Sequence, residues 1–181
     1  PIQTAEVQSS PPPSTRTEER EPCSNYTAER RPLFGDLHVH TAWSFDASSQ
    51  DTRNTPADAY RFAQGAPMGI QPYDENDRAT RTILLDRPLD FTAVTDHAEF
   101  LGEVHMCTTP GEPGYWHPVC LIQRHIPRYT FWTFGAAGLS YKHRWGLCGD
   151  NNAICTEKAA DMWRQIQQAA EDAYDRSSDC S

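Results

Sequence analysis

Two imidazoles, His38 and His40, close the alternating run Leu33 to His40, and this constrains the fold more than any other feature of the chain. In an extended segment, side chains two apart share a face. Asp36, His38 and His40 therefore lie on one side, with Leu37 and Val39 on the other. Successive same-face positions lie roughly 6.5 to 7 Å apart, close enough for both rings to serve one ion or two adjacent ions. Neutral imidazole suits zinc, iron, manganese or copper, and the nearby carboxylates Asp36 and Asp46 extend the choice toward harder cations.

An isolated His-x-His is a weak signal, because short motifs match by chance. A second cluster strengthens it. Leu89 to Val94 is an apolar, β-branched-rich run of the kind expected for a buried parallel strand, and it stops in Thr95-Asp96-His97. A buried strand ending in a charged pair presents that pair at its carboxyl edge, where α/β folds place their sites. Between the clusters, Thr55 suits an N-cap, Pro56 the first helical position and Gly65 the residue after the end, which predicts a helix over Pro56–Gln64. The order strand, loop, helix, strand is that of a βαβ unit.

Three segments, GDLHVHTAWSFD from Gly35, TRNTPADAYRFAQG from Thr52 and RPLDFTAVTDHAEFLGE from Arg87, together resemble the PHP (polymerase and histidinol phosphatase) superfamily, most closely a secreted branch of it. The likeness runs from about Arg31 to Glu103, with a weaker echo in the final helix. It implies an α/β fold, the N-terminal part of a distorted (β/α)7 barrel, with two or three divalent ions (zinc, manganese or iron) at the strand ends and phosphoester hydrolysis as the activity. It also implies roles for individual residues. His38, His40, Asp46 and His97 fall on metal-ligand positions, Asp96 beside His97 on that of an orienting carboxylate, and Asp36 on a similar supporting position. Asp36 and Asp96 are thus the candidate catalytic carboxylates.

The chain departs from the family pattern after His97. No Asp-x-His follows, and Ser181 comes soon after one helix, whereas a barrel of this kind takes roughly 200 residues or more. The expectation is a site completed by a C-terminal companion segment or another chain. The alternatives are a scaffold or assembly subunit that keeps only part of the barrel, and a metal-binding module without turnover.

Residues 1–32, with Ser9-Ser10-Pro11-Pro12-Pro13-Ser14 and a charged stretch, cannot bury enough apolar surface to fold alone and read as an extended arm. Residues 33–181 form the PHP-like part. Within it, 107–150 lacks any sustained period and reads as an irregular loop insertion shaping a pocket, with Arg124 and Arg144 as candidate phosphate contacts. Glu99 and Glu103, four apart, would share a helical face near His97. Residues 156–176 read as an amphipathic helix capped by Thr156, with the stripe Ala159, Trp163, Ile166, Ala170 and Ala173.

The net charge of −9 and a pI near 5.1 argue against nucleic acid as a bulk partner, and the substrate that the resemblance implies is a phosphoester small molecule. No apolar stretch approaches the roughly 20 residues of a membrane span. The chain starts at Pro1 with no leader-like segment, as expected of a processed product. Its six cysteines fit an oxidising compartment, periplasmic or extracellular. Short loops favour Cys107 with Cys120 and Cys148 with Cys155, leaving Cys23 for Cys180.

Overall fold

The computed structural model describes residues 23, 24, 27, 29–139, 144 and 146–178. The chain divides into two compact units, one of Pro1–Arg30 with Asp175–Ser181, the other Arg31–Tyr174. In the first, the Ser24 N–H donates to the Ser178 carbonyl at 2.6 Å, and Cys23 is disulfide-bonded. The last seven residues thus belong with the arm and not with the body. Cys180 and residues 1–22, on which the third disulfide and most of the extended arm were expected, lie outside the described residues.

In the second unit, β1 (Gly35–Val39) pairs in parallel with β4 (Phe91–Val94), Gly35 opposite Phe91 and Val39 opposite Val94. The crossover carries α1 (Phe45–Ser48), α2 (Pro56–Ala63) and a hairpin of β2 (Met68–Tyr73) with β3 (Ala79–Ile83). The helix α2 begins as its sequence predicts. The Thr55 hydroxyl accepts from the Asp58 N–H, and Asp58 accepts in return from the Thr55 N–H, while Pro56 occupies the first helical turn. The hairpin was not anticipated. Its turn is organised by Asp74, whose Oδ1 accepts from the N–H groups of Asn76 and Arg78, with Asp77 at φ +61°; a short polar side chain tolerates that conformation.

Among the described residues the strands form two separate two-stranded sheets and no closed barrel. Expectation and structure part over burial. The Leu89–Val94 run is parallel but not enclosed: Leu37 is 63% and Phe91 42% exposed. With one strand neighbour each, β1 and β4 bury only the face turned to the helices, where Val94 packs with Trp43, Leu101, Met162 and Ile166. The Tyr60 hydroxyl from α2 accepts the Val94 N–H at 3.2 Å. The strands approach tightly at Gly35, where an added Cβ would lie 2.2 Å from the Phe91 carbonyl oxygen.

The segment read as an irregular insertion is largely helical. After α3 (Leu101–Thr108) come α4 (Pro118–His125) and α5 (Pro127–Leu139). Pro118 and Pro127, which broke the apparent periodicity, sit at the first positions of these helices, where proline is tolerated. His117 caps α4, its Nδ1 accepting from the Val119 N–H. A second core of Phe100, Met106, Val119, Leu147 and four half-cystines fills the space beneath. Both short disulfides, Cys107–Cys120 and Cys148–Cys155, lie in it as their spacing favoured.

The last helix, α6, spans Ala153–Ala173, one turn earlier than expected, and Thr156 is inside it, its hydroxyl donating to the Asn152 carbonyl. Its buried stripe is Cys155, Met162 and Ile166. Trp163 is 55% exposed, and Met162, one position earlier, meets the core in its place. Helices α3 and α6 touch backbone to backbone at Gly102, where a Cβ would stand 2.0 Å from the Cys155 carbonyl oxygen.

Candidate metal centre

The carboxyl ends of β1 and β4 bring His40, Asp46 and His97 together, with one ligand atom from each lying within 4.8 Å of the others. His40 Nδ1 is 2.7 Å from Asp46 Oδ2, and His97 Nε2 is 3.6 Å from the same oxygen. His38 stacks on His40 at 4.7 Å between ring centres, so the two imidazoles share a face as the alternation of β1 requires. The His97 ring meets His40 edge-on at 4.9 Å and is backed by Phe45 at 4.9 Å.

Ser44 ties this group together. It is fully buried, its hydroxyl donates to Asp46 Oδ1 at 2.5 Å, and the His97 N–H donates to that hydroxyl at 3.0 Å. The Ala47 N–H adds a bond to the same carboxylate oxygen at 2.7 Å. Burial alone would raise the Asp46 carboxyl. The bonds from Ser44, His40 and Ala47 outweigh it and hold the group below the usual carboxylate range. Ser44 was absent from the sequence reading, although a serine two residues before an aspartate is a known source of local side-chain hydrogen bonds.

The supporting carboxylates are arranged differently from the sequence expectation. Asp96 does not touch the His97 ring. Its two oxygens accept from the Thr41 N–H at 2.5 Å and the Thr41 hydroxyl at 2.7 Å, locking the end of β4 to the end of β1. Burial raises its carboxyl above the ordinary value, against the lowering effect of those Thr41 bonds. The residue that orients His97 is Glu99, 3.2 Å from Nδ1. This carboxylate–histidine pairing leaves Nε2 for a ligand. A bond from its own backbone N–H, followed by the His97 contact, holds the Glu99 carboxyl low. Asp36 accepts from the His38 N–H at 2.9 Å and so braces β1. Asp36 and Asp96 are therefore positioning residues in this geometry.

Glu103 does not share a face with Glu99 at the centre. It is fully buried, 3.5 Å from Cys148 Sγ of the second core, and pairs with Arg144 Nε at 3.0 Å. Burial pushes its carboxyl up even with that arginine beside it. This pair engages Arg144 away from the imidazoles. Arg124 is likewise committed, donating to the carbonyls of Cys107 and Tyr115 at 2.7 Å and lying over the Tyr115 ring. Neither arginine is brought to the triad, because both close the helical layer that the sequence presented as a loop.

The donor set, two imidazoles and a carboxylate, fits zinc, manganese or iron by ligand chemistry. A tetrahedral zinc site spaces its ligand atoms at roughly 3.4 Å, so the His40–Asp46 contact at 2.7 Å would open slightly while the wider separations, up to 4.8 Å, would close.

The family model described as a protein of unknown function, DUF3604, matches residues 27–179. The chain belongs to this DUF3604 family. No curated protein and no solved structure matches it. All the residues of the centre and the Cys107–Cys120 and Cys148–Cys155 bridges fall inside the DUF3604 match.

Proposed function

We propose that this chain is a metal-dependent hydrolase of phosphoester bonds in an oxidising compartment, periplasmic or extracellular, on part of a PHP-type barrel. The observation that carries this reading is the convergence of His40, Asp46 and His97 at the carboxyl edge of a parallel strand pair. His38, stacked on His40, would be the ligand to any second ion. A bound divalent ion at such a centre lowers the pKa of water from ~15.7 toward ~7 and offsets charge on phosphoryl oxygens.

The chain's own residues prepare that chemistry. Asp46 stays ionised near neutral pH because three donors hold its carboxylate. Glu99 fixes the His97 ring so that Nε2 faces Asp46. Asp96, through Thr41, keeps the two strand ends in register and the imidazoles at ligand spacing. Phe45 shields one side of His97 from water.

A second reading is an assembly subunit on the same scaffold. It is favoured by the open β1–β4 pair, where Leu33, Leu37 and Phe91 are exposed, since parallel sheets are ordinarily covered on both faces. In the hydrolase reading the same face receives the companion segment or chain that completes the site.

The test is metal analysis of the purified, non-reduced protein, followed by hydrolysis of p-nitrophenyl phosphate and bis(p-nitrophenyl) phosphate with added zinc, manganese or iron. Retained metal and turnover, both lost in Asp46→Ala and His97→Ala, are expected. Folded protein that neither binds these ions nor hydrolyses either ester, alone or with its companion polypeptide, overturns the reading.

A further inference from the structure

A cavity of about 710 Å³ opens beside the centre, lined by Trp43, Ser48, Asp51, Arg53, Thr108, Tyr115 and Gln123 among others. This lies within the range of small-molecule sites, roughly 300–1,000 Å³. The stretch that carries Asp46 also supplies its wall, with Ala42 and Trp43 on one side of that residue and Ser48 on the other. We propose that this cavity binds a neutral saccharide, on the observation that its wall combines an unpartnered buried acceptor, Gln123 Oε1, with self-neutralised charges and the Trp43 indole.

Gln123 is 4% exposed, and its Nε2 donates to the Ser48 hydroxyl at 3.1 Å, which fixes the amide and turns Oε1 away without a partner among the described residues. A buried acceptor left unpaired is costly, so a ligand that donates there gains from filling it. Thr108 has its hydroxyl proton committed to the Val104 carbonyl at 2.8 Å and so offers the cavity only lone pairs. Phosphate, sulfate and carboxylate groups, which only accept, cannot satisfy these two acceptors, whereas a hydroxyl can donate to them and also accept from the Arg124 guanidinium on the same wall.

The formal charges on the wall sum to zero, Arg53 and Arg124 against Asp51 and Asp77, so net charge selects neither a cation nor an anion, and Arg124 Nη1 is already committed to the carbonyls of Cys107 and Tyr115. Arg53 lies between Asp51 at 2.9 Å and Asp77 at 2.8 Å, cancelling most of their field, and stacks over the Tyr73 ring at 4.0 Å. What remains calls for a ligand rich in O–H donors with no net charge and an apolar face to lay on an aromatic ring. Trp43 supplies that ring, held from behind by the core of Leu101, Met162 and Ile166. Pyranose rings have this chemistry: several hydroxyls at the edge and C–H bonds on the face.

If the hydrolase reading holds, the sugar is the recognition end of the phosphoester, so that part of the inference rests on that reading. The binding step does not. Saturation-transfer NMR and calorimetry on the metal-free full chain, with galactose, N-acetylglucosamine and cellobiose as probes and inorganic phosphate and adenosine as contrasts, separate the two.

Binding of at least one neutral sugar at ~10 mM or below is expected, undisturbed by phosphate. Gln123→Met keeps the shape but loses the acceptor, and should weaken that binding roughly tenfold, the value of one hydrogen bond. Thr108→Val, at an exposed helix end, should weaken it several-fold and decides the matter if Gln123→Met fails to fold. The proposal is overturned if no neutral sugar binds, if either folded variant binds like the parent, or if phosphate or adenosine takes the site instead. Sugar binding without phosphoesterase activity would remove only the hydrolase reading, and activity without sugar binding only this one.

Discussion

Removing the Ser44 hydroxyl tests the centre without touching a ligand. Ser44 is buried and makes two bonds that matter: it donates to Asp46 at 2.5 Å and accepts from the His97 N–H at 3.0 Å. In Ser44→Ala, the bond to an ionised carboxylate, about 1.5–3 kcal/mol, is lost and the His97 N–H is left without its acceptor at about 1–3 kcal/mol. These overlap, since the shared atom is one, and a net loss near 3 kcal/mol is expected. For a chain of this length each kcal/mol moves Tm by roughly 2–4 °C, so thermal unfolding of the metal-free protein should fall by about 6–12 °C. Zinc affinity should fall as well, by about 10- to 100-fold, as for other residues that orient ligands. Competition against a chromophoric chelator measures it. A folded Ser44→Ala protein whose zinc affinity lies within twofold of the parent would refute the positioning role and with it the claim that Asp46 and His97 act on one ion.

Further outcomes follow from other parts of the molecule. Glu103 binds its proton more tightly folded than unfolded, so its contribution to stability is present below the unfolded carboxylate value and is lost as pH rises through the folded one. Chemical denaturation across that window should show a slope that Glu103→Gln reduces, and an unchanged slope would count against the burial argument. Gly102→Ala forces apart α3 and α6, where the new methyl would meet the Cys155 carbonyl, and should cost about 1–3 kcal/mol in denaturant titration. Replacing Cys148 and Cys155 together by alanine opens a loop of sequence separation 7 and should cost about 2–3 kcal/mol on the chain-entropy account. Glu99→Gln should leave Tm nearly unchanged, since the residue is exposed, while weakening zinc binding about tenfold.

Strand ends and the first helix were legible because their signals are local. The alternation of β1, the Thr55-Pro56 helix start and the histidine-bearing strand ends are all read within a few residues, and the structure has these elements at those positions. Burial was not legible from Leu89 to Val94, because an apolar strand reads the same whether one or both faces are covered. The helices α4 and α5 were hidden by Pro118 and Pro127, which mark helix starts as readily as loops. Glu99 displaced Asp96 as the partner of His97 because Thr41, fifty-five positions earlier, claims both Asp96 oxygens, a contact no local pattern encodes. The shift of the α6 stripe from Trp163 to Met162 likewise reflects packing against Leu101 and Ile166, which the helical period alone does not encode.

The lock between Thr41 and Asp96 also bears on how the molecule is assembled in time. Closing a segment of that length costs about 3–4 kcal/mol of chain entropy before any strand contact repays it. The helices α4 and α5, separated by a single residue, and the two small disulfide loops face no such delay. The imidazoles should therefore meet late, and stopped-flow refolding followed by zinc uptake would time the docking of β4 against β1, while helical ellipticity would report the earlier steps.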